Sequence, residues 1–101
     1  MSDQQKDRDE EGTIIALMDR ASKFRIPNLL AVKKRLDAGE QVSERELEFL
    51  EKVLEDIQKF KLLVDRHPRL HELSVKMMSL YTEIVDLAFE NESKPQQQSD
   101  D

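Results

Sequence analysis

Leu70, Leu73, Met77, Leu80, Ile84 and Leu87 follow one another by alternating steps of three and four residues, and this ladder decides what the chain can fold into. Side chains at that spacing share a face only on an α-helix, because a strand repeats every second residue. Val75, Met78, Tyr81, Val85, Ala88 and Phe89 form a second apolar stripe beside the first. Only Glu72, Lys76, Ser79, Glu83, Asp86 and Glu90 make a continuous polar strip. The apolar arc covers about 200°, well beyond the roughly 100° stripe of an ordinary surface helix. A helix of this kind sits at the centre of its fold or meets a partner.

The preceding segment repeats the pattern. Leu47, Leu50, Leu54, Ile57 and Val64 keep a heptad seam in which Lys61 takes the one polar slot, and Val53 and Phe60 widen it. Glu48–Lys52 and Glu55–Lys59 stand four residues apart on its wet side, as stabilising helical ion pairs do. Its punctuation is the clearest in the chain. Gly39 suits a left-handed stop for one helix. Ser43 and Glu46 have the spacing of a capping box for the next, and Val42 and Leu47 that of a hydrophobic staple. His67 precedes Pro68 and is pushed out of the α region, which ends that helix near Arg66. Pro68 then suits the first position of another.

Upstream, Ile14, Leu17, Met18, Ala21 and Phe24 suit a helix from Thr13, and Leu29, Val32 and Leu36 continue a similar face. Pro27 inside one continuous helix would lose a hydrogen bond and clash with the preceding turn, at about 3 kcal/mol. Two helices with a bend at Phe24–Asn28 are therefore expected, and one kinked helix is the alternative. The expected fold is all-α: a small antiparallel helical bundle, with short helices at about 13–24 and 27–38 packed on a long hairpin of about 44–66 and 68–91.

Apart from Met1, every apolar residue lies between Thr13 and Phe89. Residues 1–12 and 92–101 bury too little to offset the entropy of ordering, and read as disordered acidic and polar tails around a single domain, 13–91. The net charge of −6 is concentrated in those ends. Inside the domain, residues 13–38 hold six bases against two acids, and residues 40–65 hold eight acids against four bases. A bundle of this size is only marginally stable by itself, so a homodimer is one way to bury the wide face of the last helix.

Several classes are excluded. The chain has no cysteine, hence no disulfide or thiolate chemistry. Gly12 and Gly39 are isolated and cannot form a phosphate-cradling loop. No run approaches the roughly 18 apolar residues of a membrane span. The first twelve residues carry seven charges, unlike a secretory leader. A cytoplasmic protein, without membrane contact, is expected.

Three constellations remain. Arg66, His67, Arg69 and His71 surround a helix start and could hold an anion. Asp7, Asp9, Glu10 and Glu11 could answer that charge from within the chain. As metal ligands His67 and His71 are poorly placed, since Pro68 takes His67 out of the helix and no acid stands three residues before either. No metal or other cofactor is expected. Lys33, Lys34 and Arg35, with Arg20, Lys23 and Arg25, form a basic patch, but the helix after Gly39 is acidic where a recognition helix would meet phosphate. The patch is expected to face Glu44, Glu46, Glu48 and Glu51 across the turn, and no nucleic acid is expected. For catalysis, Ser74 near His71 lacks an orienting group and an oxyanion donor, and Arg20 and Arg25 are weak candidates for inward-turned bases. The expected role is therefore non-enzymatic: an adaptor, regulator or small chaperone-like module binding a protein partner, or a second copy, through Met78, Tyr81, Val85 and Phe89. The alternative is an anion- or metal-binding bundle built on the 66–71 turn.

Overall fold

The computed structural model describes residues 2–93, with side chains from 10 to 92. Among the described residues there are helices and turns and no strand. The order is α1 (Ser2–Arg20), a π-helical turn (Ala21–Arg25), α2 (Ile26–Asp37), α3 (Glu44–Leu63), a 3-10 turn (Pro68–Leu70) and α4 (His71–Ser93).

The two short helices expected at 13–24 and 27–38 are one rod. Arg20, Arg25 and Ile26 all keep right-handed helical dihedrals, so the backbone does not bend away at Pro27. The proline is accommodated by the π turn. The Ile26 amide bonds the carbonyl of Ala21, five residues back, which widens the turn just ahead of the proline ring. Pro27 then falls in the first turn of α2, where a missing N–H costs little. The extra residue also shifts the buried face. Ile14, Leu17 and Ala21 are followed by Ile26, Leu29, Val32 and Leu36, a step of five in a series of threes and fours. Phe24, expected in the core, is 59% exposed, and Ile26 is buried instead.

α1 begins at Ser2, inside the stretch 1–12 expected as a disordered tail. α4 runs to Ser93, so of the expected tail 92–101 only residues 94–101 lie outside the described residues.

The turn between α2 and α3 forms as its residues dictate. Gly39 has φ +92, its amide bonds the Leu36 carbonyl, and the Glu40 amide bonds the Arg35 carbonyl. That is the Schellman pattern of a helix stop. Ser43 Oγ accepts from the Glu46 amide at 3.1 Å, and Glu46 Oε1 accepts from the Ser43 amide at 2.9 Å, closing the capping box. At the far end His67 leaves the helical region with φ −133 and ψ 77, as a residue before proline does.

α4 packs against both α2 and α3, so the helix with the widest apolar arc is the central one. The core joins Ile14, Leu17, Ala21, Ile26, Leu29, Val32 and Leu36 of the rod to Leu50, Val53, Ile57 and Phe60 of α3. Leu70, Met77, Leu80 and Ile84 complete it from the 3-10 turn and α4. No helix among the described residues is long and apolar enough to cross a membrane.

Candidate functional site

α4 turns Met77, Leu80 and Ile84 inward, and these are buried. Its second stripe reaches the boundary with α3, where the bundle does not close. Val42, Leu47, Leu50 and Glu51 form one wall of a groove there. Tyr81, Val85, Ala88, Phe89 and Glu92 form the other, around a volume of about 390 Å³. Leu47 is 51% exposed and Phe89 68% exposed, while Leu50 is buried and supplies the floor. Three of the four residues expected at a contact surface, Tyr81, Val85 and Phe89, therefore share one concavity. Met78 lies a turn away, partly buried against the core.

The α3 wall was not expected. Its one visible signal was Leu47, which the staple spacing explained by itself. In the folded chain Val42 and Leu47 both line this groove. The expected ion pairs Glu48–Lys52 and Glu55–Lys59 do not form among the described residues, which leaves these acids facing solvent.

At the opposite end, the basic turn meets the start of the rod. Glu10 accepts from Arg66, its other oxygen lies 3.1 Å from His67 Nε2, and Glu11 accepts from Arg69. The hydrogen bond to His67 is the chief reason that the Glu10 carboxyl is held below its usual range; burial opposes it, and the Arg66 charge helps. Arg66, His67 and Arg69 are thus brought together and answered by the chain's own carboxylates. His71 does not join them: it faces a separate surface depression with Glu72, Val75, Lys76 and Ser79. Among the described residues no three His, Cys, Asp or Glu side chains converge as metal ligands do.

Of Lys33, Lys34 and Arg35, only Arg35 meets the acids across the Gly39 turn, and of Glu44, Glu46, Glu48 and Glu51 it reaches only Glu46 among the described residues. Arg35 Nε and Nη2 hold the two oxygens of Glu46 at 2.7 and 2.9 Å, and Arg35 also reaches Glu40 and the Gln41 carbonyl. Chiefly through that bond Glu46 is lowered and Arg35 raised from their ordinary values. Lys33 pairs with Asp37 at 3.0 Å on its own helix.

Two polar residues that the sequence offers as solvent-facing are buried. Asp56 is 4% exposed and accepts from Arg25 Nε at 2.8 Å, with Arg20 Nε 3.8 Å away. Arg25 turns inward toward this carboxylate on α3, while the Arg20 side chain stays 40% exposed beside it. Asn91 donates to the Leu36 carbonyl at 2.9 Å and to the Glu40 carbonyl at 2.8 Å, tying the end of α4 to the end of α2. Neither lines the groove between α3 and α4, and both tie one helix to another.

Comparison with models of known protein families, with curated proteins and with solved structures finds no match to this chain.

Proposed function

We propose that this protein is a non-enzymatic interaction module that binds a protein partner in the groove between α3 and α4. The observation that carries the reading is the apolar lining of that groove, which gathers Leu47 and Phe89 around one concavity, whereas the exposed Ile15, Phe24, Leu30, Leu62 and Val75 lie outside it. Leu47 and Phe89 flank it with more than half of their surface in water. Aromatic and aliphatic anchors around a preformed depression are the usual energetic centre of a protein contact, and an amphipathic helix is the element that such a groove accepts. The two charge clusters outside the groove are satisfied internally, by Glu10 and Glu11 at one end and by Glu46 at the other, which supports a structural role for them.

The test is affinity capture from extract of the source cells with three forms of the protein: unaltered, Phe89→Glu, and Val75→Glu. Val75 is 52% exposed and lies outside the groove lining, so its variant controls for added charge. A protein retained by the unaltered form and by Val75→Glu but lost from Phe89→Glu, with helical circular dichroism unchanged, supports the reading. Identical capture by all three contradicts it.

A further inference from the structure

The groove has a sign. Among the described residues the only charged ones in its lining are Glu51 on the α3 wall and Glu92 on the α4 wall. Outside that lining the α3 side continues acidic. At 3.6 residues per turn, Glu44, Glu48, Glu51 and Glu55 fall within about 60° of one another along the helix surface, and all four are exposed. Among the described residues none of these four, nor Glu92, closes an ion pair. Apolar floor, exposed aliphatic and aromatic edges, and a carboxylate on each wall together describe one kind of occupant.

We infer that the partner is a basic amphipathic helix, supplied by another protein, which lays apolar side chains between Leu47 and Phe89 and places Lys or Arg against Glu51 and Glu92. This rests on the docking role proposed above and adds the chemistry of what docks. The α4 wall from Tyr81 to Glu92 extends about 16 Å along the helix, enough for three turns of a partner with anchors at i, i+4 and i+7. Charge of this kind acts mainly on encounter rate and on choice of partner.

The other occupants fit less well. A second copy meeting this one groove to groove would set each Glu51 and Glu92 against the same acidic surface, since a two-fold interface brings one patch onto itself. Residues 94–101 offer only Pro95 as an apolar side chain and hold more acids than bases.

The experiment titrates the isotopically labelled full chain with three synthetic 18-residue peptides, followed by amide NMR shifts. All three carry leucine at helical spacing; the remaining positions are mostly lysine in the first, glutamine in the second and glutamate in the third. The lysine peptide is expected to bind tightest, to move the amides of Leu47, Glu51, Val85 and Phe89, and to weaken as salt is added. Glu51→Lys combined with Glu92→Lys should weaken it about tenfold or more and improve the glutamate peptide, and Leu47→Asp should weaken all three. Equal binding of the three peptides at the groove would overturn the cationic partner and leave the docking role standing. Shifts scattered over the surface and indifferent to the Glu51 and Glu92 changes would overturn it too, as would a dimer of the free chain that buries Leu47 and Phe89. If no peptide moves a groove amide, the docking role falls with it.

Discussion

Asp56 and Asn91 are the two residues whose burial most depends on a distant partner. Asp56 meets Arg25 from 31 positions away, and Asn91 meets the Leu36 carbonyl from 55. Arg25→Met removes the nearer cation and the hydrogen bond of a buried carboxylate and leaves it Arg20 at 3.8 Å, so it should destabilise the fold by about 1–3 kcal/mol. Combining it with Asp56→Leu should recover most of that loss, because a well-packed apolar pair replaces a desolvated ionic one at little net cost. Urea unfolding of the single and double variants measures both; a single variant costing under about 1 kcal/mol would show that the pair is not desolvated. Asn91→Ala takes the side-chain donor from the Glu40 carbonyl in the turn and from the Leu36 carbonyl, which keeps the Gly39 amide, and should cost about 1–3 kcal/mol in the same assay. Neither residue was legible in the sequence, because polar side chains on the acid-rich α3 and at the end of α4 read as wet unless the pairing of helices is already known.

At the level of elements, the helix stop and cap around Gly39 and Ser43 are present. The i,i+4 pairs Glu48–Lys52 and Glu55–Lys59 do not form among the described residues, and the phase of the rod is changed by an inserted residue. Gly39, Ser43 and Glu46 act within a few residues of chain, and the stop and the cap they announce are both present. The π turn leaves only one trace, the five-residue step from Ala21 to Ile26, and Pro27 beside it argues for a break. Phe24 and Ile26 discriminate between the two phases. Ile26→Ala should cost about 2–4 kcal/mol and Phe24→Ala within about 0.5 kcal/mol, measured as shifts of the unfolding midpoint. The reverse order would mean that an unshifted helix is the true one. The α2–α3 turn is also predicted to be acid-sensitive. Arg35 holds Glu46 below the ordinary carboxylate value near 4.3. The stabilisation is therefore complete above that value and disappears as pH falls through the lowered one. Glu46→Gln should flatten the fall in stability between about pH 5 and pH 2, whereas an unchanged slope would place the titrating group elsewhere.

Over the whole molecule, the wide apolar arc on α4 pointed to a helix that is central or meets a partner; α4 does pack against both α2 and α3, and part of its second stripe lines the groove. The rod and α3 cover Met77, Leu80 and Ile84 completely or nearly so, yet a groove is left beside them. Which side of α4 is left open depends on where α3 comes to rest, so the contribution of Val42, Leu47 and Glu51 could not be read from spacing. The most direct measurement is photo-crosslinking in the source cells, with a photo-reactive benzoylphenylalanine in place of Phe89 and, separately, in place of Val75. A discrete adduct with another protein at position 89, absent at position 75 and lost when Leu47→Asp is added, is the predicted result. Adducts that form equally from both positions, or that survive the change at Leu47, would contradict a partner seated between α3 and α4.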